Sequence, residues 1–284
     1  MKIFDKQKFL WHKYTYMIKN VLVCPICKEI LKKESHSFLC QHKHCYDIAK
    51  EGYINLLLCN KKKTQLPGDD KIMISARNDF LQKGYFNQLR EQVEFLVKKI
   101  SPSLILDAGC GTGFYTHNLQ DEFDVIAIDI SKEAAKYTSK NNKNSLVIVS
   151  SIFDIPVKDN SVGLILNIFA PKPQEEFARI LNTNGKILEI IPGKEHLKEL
   201  KEKVFDGNNK FNSEKFAFNK FNLKTSKHLK YVAKIERSED LIDLLKMTPY
   251  FYKGGDKQIV KLEKINNLEV TLDFIINVLE KNKI

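Results

Sequence analysis

The feature that most constrains this chain is the stretch at residues 104–119, where a short apolar run reaches Asp107 and then turns through three glycines. These glycines occupy alternate positions, at Gly109, Gly111 and Gly113. A short apolar run is typical of a buried parallel strand, and glycines let the backbone turn sharply and approach a ligand closely. We expect a helix over residues 114–119. Its first amides, which have no intrahelical partner, would face a ligand site beyond the end of the strand.

A second apolar run, at residues 124–129, ends at another carboxylate, Asp129. In nucleotide-binding sheets an acid at this position accepts hydrogen bonds from ribose hydroxyls. The glycine spacing differs from the dinucleotide motif G-x-G-x-x-G, and no G-K-[S/T] follows as in a P-loop. The pattern therefore predicts an S-adenosylmethionine site; the alternative is a glycine-rich turn in some other α/β protein. The residues predicted on this basis to bind the cofactor are Asp107, Gly109, Gly111, Thr112, Gly113 and Asp129.

Four potential metal ligands near the N-terminus have the spacing of a zinc site. Cys24 and Cys27 form a C-x-x-C pair, Cys40 follows after twelve residues, and His44 comes after three more. Three thiolates and an imidazole complete a closed tetrahedral Zn²⁺ site, which is structural because it has no open position for water. Cys45, adjacent to His44, is the alternative fourth ligand. We expect the metal to hold together a small separate module, so that replacing a ligand leaves cofactor affinity nearly unchanged.

The charge distribution indicates a polyanionic partner. The 284-residue chain has a formal net charge of +11. Residues 1–63 contain thirteen lysines against five acidic residues, a net charge of +8. A basic end of this kind typically contacts nucleic acid. The chain shows neither a long apolar run nor a signal-peptide pattern, so we expect a cytoplasmic protein with no membrane segment.

The chain is expected to contain two domains. Residues 1–60 would form a basic N-terminal arm and the zinc-binding module, and residues 61–284 a linker and the ligand-binding domain. Three consecutive lysines and a Pro-Gly turn at residues 61–70 are typical of a polar linker. Aromatic residues and lysines intermix over residues 1–23, which predicts an amphipathic helix. This helix would pack on the protein or, alternatively, contact a membrane surface or RNA.

The remaining pattern predicts an α/β domain. Helices over residues 72–80 and 85–100 would precede the first strand and cap the ligand site. Later elements would complete a seven-stranded sheet whose last strand is antiparallel. They are strands over residues 146–149, 162–168, 186–191, 228–235 and 271–279, and helices over residues 131–140, 175–181 and 238–246. Residues 204–227 show no periodicity and are interpreted as an insertion. The aromatic residues at 247–252 either stack on an extruded base or pack in the core.

Several sequence features together resemble the bacterial large-subunit ribosomal RNA guanine-N1 methyltransferases. They are the two zinc knuckles, the run Asp-Ile-Ala-Lys-Glu-Gly-Tyr-Ile-Asn-Leu at residues 47–56, the Pro-Gly-Asp turn at 67–69, the Ala-Arg…Phe-Leu…Gly segment at 76–84, and the glycine motif at 107–117. The resemblance implies an α/β fold, a class I (Rossmann-like) methyltransferase domain with a seven-stranded sheet and a small N-terminal zinc-ribbon domain. It also implies a homodimer, an RNA-binding cleft between the two domains, and a target guanine in a hairpin of 23S ribosomal RNA.

Five further residues take their expected roles from this resemblance. It implies that Ser151 lies near the adenine, that His196 contacts the cofactor, and that Phe86 contacts it where the family has tyrosine. Asn167 and Phe169 would lie on the loop that faces the acceptor base. The family often has arginine and tyrosine at these two positions, so a role in guanine binding does not carry over to them directly.

The predicted reaction is transfer of the methyl group of S-adenosylmethionine to guanine N1, for which the protein chiefly supplies proximity and alignment. N1 must lose its proton to a carboxylate or to water. Asp154 is the carboxylate nearest in sequence to the expected site, and it is the candidate base. The alternatives are a methyltransferase that acts on another RNA or on a small molecule, and a catalytically silent RNA-binding protein on the same fold.

Overall fold

A computed structural model of the chain describes residue 18 and residues 20–58, 68–205 and 220–282. The predicted amphipathic segment over residues 1–23 lies largely outside this part of the chain. The lysine-rich linker at residues 61–67 and residues 206–219 of the predicted insertion also lie outside the described residues.

Near the N-terminus the described chain forms a small antiparallel sheet. Its strands are β1 (Lys32–Glu34), β2 (Ser37–Leu39) and β3 (Cys45–Asp47), which pair in the order β1-β2-β3. Phe38 is buried close to Leu31, and both belong to a hydrophobic cluster that also contains residues of the main sheet. This N-terminal module, residues 20–53, therefore shares its core with the rest of the protein instead of closing one of its own.

The rest of the described chain is organised around an eight-stranded sheet. Its strands are β4 (Ile54–Asn55), β5 (Ile105–Ala108), β6 (Val125–Asp129), β7 (Leu146–Val149), β8 (Val162–Ile168), β9 (Leu181–Pro192), β10 (Phe221–Ile235) and β11 (Leu268–Lys281). They lie in the order β10-β11-β9-β8-β5-β6-β7-β4. All the pairs from β9 to β4 are parallel, whereas β11 is antiparallel to both of its neighbours. The strand order reverses at β5, which creates a crevice beyond the carboxyl ends of β5 and β8.

The seven predicted strands are present as β5 to β11, and one further strand joins the sheet. The additional strand is β4, where Ile54 pairs with Ile148 at the edge of β7. A two-residue strand next to a cysteine-rich segment has no periodicity that a sequence pattern can detect. β10 also begins at Phe221, seven residues before the predicted start, because most residues in its first half are exposed and show no apolar alternation.

Eight helices cover this sheet within the described residues. They are α1 (Lys71–Gln82), α2 (Asn87–Ile100), α3 (Lys132–Asn141), α4 (Gln174–Ile180), α5 (Lys198–Val204), α6 (Ser238–Lys246), α7 (Phe251–Gly254) and α8 (Asp256–Leu262). The predicted N-cap of α3 is confirmed, since the Ser131 side chain accepts from the Ala134 amide. Asp70 caps α1 in the same way through the Met73 amide.

The predicted helix over residues 114–119 is wrong, because this segment forms successive turns. The Gly113 carbonyl accepts from the Thr116 amide (N to O, 3.3 Å) and from the side-chain amide of Asn142 (Nδ2 to O, 3.0 Å). The Thr116 hydroxyl donates to Asp107 (Oγ1 to Oδ2, 3.0 Å). Side-chain groups thus take the acceptors that a regular helix would use for its own backbone.

The sheet has a buried cluster on each face. Leu164 and Ile165, neighbours on β8, belong to different clusters because successive strand residues point to opposite faces. Helices α2, α5, α6 and α8 contribute to the first cluster, and α4 and the N-terminal module to the second. In the part of the chain that the structure describes, none of the helices has the length and apolarity needed to span a membrane.

Candidate functional site

A cavity of about 630 Å³ opens at the carboxyl ends of the central parallel strands. Its floor is the glycine turn after β5, and its sides include the residues that follow β6, β8 and β9. Residues of α1 and of the segment at 247–250 close it from the opposite side. Of the two helices predicted to cap the site, the first lines the cavity through Met73, Arg77 and Leu81, whereas the second contributes only its N-cap residue, Phe86. The volume suits a nucleotide-sized ligand.

The glycine turn needs glycine for both backbone and packing reasons. Gly109, Gly111 and Gly113 have φ values of +84°, +56° and +74°, which side-chain-bearing residues rarely adopt. A Cβ atom on Gly109 would lie 2.9 Å from the Cβ of Ala170, so the loop after β8 could not approach the turn. Gly113 does not line the cavity, since its α-carbon faces Thr138 and Asn142. The turn therefore exposes bare backbone to the cavity at Gly109 and Gly111, while Gly113 allows the turn to pack against Thr138 and Asn142.

Two carboxylates flank this turn and line the cavity: Asp107 is buried and Asp129 is half-buried. Asp129 accepts from the backbone amides of Gly111 (N to Oδ2, 2.9 Å) and Ser131 (N to Oδ1, 2.9 Å). Burial raises the pKa of Asp129 above its ordinary value, and it raises the pKa of Asp107 to about 7. Each Asp129 oxygen retains further acceptor capacity after these bonds. The side chain is thus held rigidly and can still accept from ligand hydroxyls.

His196 lines the cavity from the loop after β9 and is buried. Its Nδ1 accepts from the backbone amide of Asp273 (N to Nδ1, 3.2 Å). Burial, with the positive charge of Lys201 second, lowers the pKa of His196 to about 4. The imidazole is therefore neutral at physiological pH, and the hydrogen-bond pattern assigns its proton to Nε2.

Phe86 and Ser151 are also brought to the cavity, as the sequence predicts. Phe86 is buried and meets the His196 ring edge to face, with ring centroids 6.5 Å apart. Ser151 lies opposite, just after β7, where its hydroxyl accepts from the Phe153 amide (N to Oγ, 3.2 Å). The structure thus places an apolar wall and a hydroxyl on different sides of the same cavity.

The two residues expected on the acceptor loop have different positions. Phe169 lines the cavity, is 45% exposed, and stacks on His196 with ring centroids 6.2 Å apart. Its φ of +53° is strained for an aromatic residue. Asn167 is buried and does not line the cavity; its amide donates to the Pro171 carbonyl (Nδ2 to O, 2.9 Å). Asn167 therefore shapes the loop, while Phe169 presents its ring.

Below this loop lies a buried ion pair. Lys172 bonds to Glu189, and both side chains are 3% exposed. Asn277 donates to the second oxygen of Glu189 (Nδ2 to Oε2, 2.9 Å). A buried charge is tolerated when it is paired and hydrogen-bonded in this way. The pair anchors the end of the acceptor loop on β9 and β11.

The structure does not bring Asp154 into the cavity lining. Its carboxylate pairs with Lys28 of the N-terminal module (Oδ1 to Nζ, 3.0 Å). Asp154 therefore links two parts of the protein, a contact that nearness in sequence to the cavity could not reveal.

Sequence reasoning missed an arginine and a segment of the cavity wall. Arg77 of α1 lines the cavity and bonds to Asp69 (Nη1 to Oδ2, 2.5 Å). Met247 and Tyr250 belong to the wall as well, so this segment contributes to the site instead of packing only in the core. Arg77 lies within the motif at residues 76–84, so the signal was present, but nothing in the sequence shows what its side chain faces.

In the N-terminal module, the structure brings together the four side chains with zinc-ligand spacing. The sulfur atoms of Cys24, Cys27 and Cys40 and one ring nitrogen of His44 all lie within 4.8 Å of one another. Cys27 and Cys40 are 3.6 Å apart (Sγ to Sγ), and His44 Nδ1 is 3.4 Å from Cys40 Sγ. Cys45 is exposed and stands outside this group.

These distances fit a tetrahedral zinc ion. Ligand bonds of about 2.3 Å to sulfur and about 2.0 Å to nitrogen place the donor atoms roughly 3.5–3.8 Å apart. The donor set has three soft thiolates and one imidazole, which is typical of a closed structural site. The Tyr46 hydroxyl lies 3.2 Å from Cys24 Sγ (Oη to Sγ), where it can support a thiolate from outside the ligand set.

Two family models match the chain. Residues 22–65 match the zinc-ribbon family described as RlmA, N-terminal, and residues 106–188 match the family described as Methyltransferase domain. The second match runs from β5 into β9 and includes the glycine turn and Asp129. Together with the strand order and the cavity beside β5, it defines the protein as a class I S-adenosylmethionine-dependent methyltransferase.

Individual relatives identify the family within this class. The 23S rRNA (guanine(748)-N(1))-methyltransferase of Streptomyces fradiae is 31% identical over 195 residues, which cover 65% of this chain and 69% of that protein. YxjB of Bacillus subtilis (strain 168), named for the same reaction, is 26% identical over 269 residues, 88% of this chain and 93% of that protein. The chain belongs to the 23S rRNA guanine-N1 methyltransferase family. Among solved structures, the MccD protein aligns at 18% identity and a TM-score of 0.43, over 67% of this chain and 96% of its own.

Proposed function

We propose that this protein transfers the methyl group of S-adenosylmethionine to N1 of a guanine in a hairpin of 23S ribosomal RNA. One observation carries the proposal. The same chain combines a cavity suited to the cofactor with a four-ligand metal site in a module matching RlmA. Membership of the family supports the choice of acceptor.

The cofactor would be held by groups that the cavity already orients. When bound, S-adenosylmethionine supplies a methyl group activated by a positively charged sulfur. We propose that Asp129 accepts from the ribose hydroxyls and that the bare backbone at Gly109 and Gly111 allows close approach. The other residues proposed to form this site are Asp107, Thr112, Ser151, Phe86 and His196, with Gly113 shaping the turn.

The acceptor base would enter beside Phe169. One face of this ring covers His196, and its exposure leaves surface for an unpaired base to stack on. Guanine N1 lies on the Watson–Crick edge, so the base must be unpaired or flipped out. Asp154 is paired with Lys28 outside the cavity lining, so we propose that water accepts the N1 proton.

The remaining parts of the proposal concern partners and organisation. Residues 1–60 are proposed to form the basic zinc-binding domain that contacts RNA phosphates, and residues 61–284 the catalytic domain with its linker. The lysine excess at the N-terminal end supports this division of roles. The family resemblance supports a homodimer that acts in the cytoplasm, where ribosomal RNA is accessible.

The test is a methylation assay with labelled S-adenosylmethionine. The purified protein is incubated with protein-free 23S rRNA or with a mixture of small metabolites. We expect label in the RNA, recovered as 1-methylguanosine on nucleoside mass spectrometry. Asp129→Asn should lose most of this activity because it replaces an acceptor that two backbone amides orient toward the ligand, whereas Glu263→Gln, at an exposed position, should keep it.

Different outcomes separate the alternatives. Label in metabolites alone contradicts an RNA substrate. Cofactor binding without label in either acceptor would indicate a catalytically silent RNA-binding protein. Methylation of a guanine atom other than N1, or of another base, would overturn the proposed regiochemistry while leaving the enzyme class intact.

A further inference from the structure

Arg77 occupies a defined position on the wall of the cofactor cavity. Its guanidinium donates to Asp69 (Nη1 to Oδ2, 2.5 Å) and to the backbone carbonyl of Met247 (Nη2 to O, 3.1 Å). The side chain is about one quarter exposed. Because a guanidinium has five N–H groups, three remain after these two bonds for a ligand in the cavity.

The charges that line the cavity make Arg77 distinctive. Among the described lining residues, the carboxylates are Asp69, Asp107 and Asp129, and Arg77 is the one permanent cation. His196 adds no positive charge near neutral pH because burial lowers its pKa to about 4. An anionic ligand group would be repelled by Asp69 and Asp129, and less by Asp107, whose pKa of about 7 leaves it only partly ionised near neutral pH. Among these lining side chains, Arg77 is the one whose charge attracts such a group.

Arg77 also lies directly over the glycine turn. A Cβ atom added to Gly111 would lie 3.4 Å from Arg77 Nη1 and 3.8 Å from its Cδ. The Gly111 amide is bonded to Asp129, the residue proposed to hold the ribose. A ligand that contacts both Asp129 and the bare backbone therefore passes within reach of the guanidinium.

We propose that Arg77 binds the α-carboxylate of the methionyl part of S-adenosylmethionine. This inference rests on the cofactor part of the proposed function. The cofactor has one anionic group, this carboxylate, and a planar guanidinium pairs with a carboxylate through two parallel hydrogen bonds. Asp69 and the Met247 carbonyl hold the guanidinium through hydrogen bonds, so that its orientation is set before the ligand arrives.

Calorimetry with two ligands tests the proposal. S-adenosylhomocysteine keeps the carboxylate, whereas 5′-methylthioadenosine has the same nucleoside but lacks the amino-acid part. Arg77→Ala should weaken S-adenosylhomocysteine binding about 10- to 100-fold and change methylthioadenosine binding less than about twofold. The affinity of Arg77→Lys for S-adenosylhomocysteine should lie between those of wild type and Arg77→Ala. Lysine keeps the positive charge but lacks the planar guanidinium that forms two parallel hydrogen bonds. Lys71→Ala, exposed on the same helix, is the matched control and should behave as wild type.

Each contrary result has a distinct meaning. Equal losses for both ligands would assign Arg77 a structural role in holding α1 and residue 247, and would overturn the proposal. Unchanged binding of S-adenosylhomocysteine by Arg77→Ala would also overturn it. A wild-type protein that binds S-adenosylhomocysteine but does not methylate RNA would refute the proposed acceptor, and the variant series would still decide the role of Arg77.

Discussion

The metal site and the cofactor cavity are built by different means. The metal site draws four side chains from 21 residues of sequence, Cys24 to His44, and all four lie outside the three-residue strands of this module. The cavity draws its walls from α1, the carboxyl ends of the five strands β5 to β9 and the segment at 247–250. Side-chain chemistry defines the first site, and backbone conformation with long-range packing defines the second. A spacing rule can therefore find the metal site completely, while it finds only the floor of the cavity.

The two regions are nevertheless joined. The Val23 amide donates to the Pro156 carbonyl (N to O, 2.9 Å), and the Lys158 amide donates to the Val21 carbonyl (N to O, 2.7 Å). The Lys28–Asp154 ion pair crosses the same boundary. These contacts hold the segment that follows Ser151 at the cavity, so the structure does not support the expected independence of cofactor affinity from the metal.

Loss of the metal should produce the largest effect. Cys24→Ser or Cys40→Ser removes a ligand from a site whose metal contributes on the order of 10 kcal/mol to folding of such modules. We expect zinc content to fall from one per chain to none, RNA binding to be lost, and S-adenosylhomocysteine affinity to drop about three- to tenfold. Elemental analysis, RNA binding and calorimetry measure the three quantities.

The exposed Cys45→Ser variant is the matched control and should keep its zinc. Full cofactor affinity in a zinc-free Cys24→Ser protein would show that the two regions are independent after all.

The second-largest effect is expected in the pH dependence of the free energy of unfolding, through His196. His196 has a pKa of about 4 in the folded protein because of its burial, against about 6.5 when unfolded. Between these values the unfolded state binds more protons, so this residue causes stability to fall as pH decreases from 6.5 to 4, by up to about 3 kcal/mol. His196→Asn, which keeps an acceptor for the Asp273 amide, should remove this part of the slope.

Urea unfolding at a series of pH values measures the difference between wild type and variant. Protonation of the metal-binding thiolates affects both proteins equally and cancels in the comparison. Parallel pH profiles would contradict a buried neutral His196.

An intermediate effect is expected for the acceptor side of the cavity. Phe169→Ala removes the exposed ring and should lower kcat/KM for the RNA about tenfold, since stacking of a base on an aromatic side chain contributes roughly 1–3 kcal/mol. S-adenosylhomocysteine affinity should change less than about threefold, and Phe169→Tyr should restore activity by restoring the ring. Single-turnover methylation of a 23S rRNA fragment provides the measurement. An unchanged rate for Phe169→Ala would exclude stacking on this side chain.

The smallest effect is predicted for the contact between the two regions. Asp154→Asn breaks an ion pair in which Lys28 is 57% exposed, and such pairs contribute about 0.2–1 kcal/mol. Methylation and cofactor affinity should therefore fall less than about fivefold. Loss of a general base would instead reduce the rate about 100-fold or more, so the same assay tests whether Asp154 has that role.

Sequence patterns predicted the features that depend on interactions between neighbouring residues. Four features depend on a few neighbouring residues: the carboxylates Asp107 and Asp129 near the ends of β5 and β6, the positive-φ glycines, the cap at Ser131 and the spacing of the metal-site residues. In each case the residue type itself indicates the backbone conformation or the ligand chemistry.

Contacts between residues far apart in sequence were established by the folded chain. Turns follow Gly113 in place of the predicted helix, and Asn142, from the end of the next helix, donates to the Gly113 carbonyl there. The Asp154 side chain pairs with Lys28 outside the cavity lining, whereas the Arg77 side chain lies in the lining and bonds to Asp69. Each of these outcomes depends on a partner that chain folding brings near, and the direction of a side chain relative to such a partner has no periodicity or spacing in the sequence.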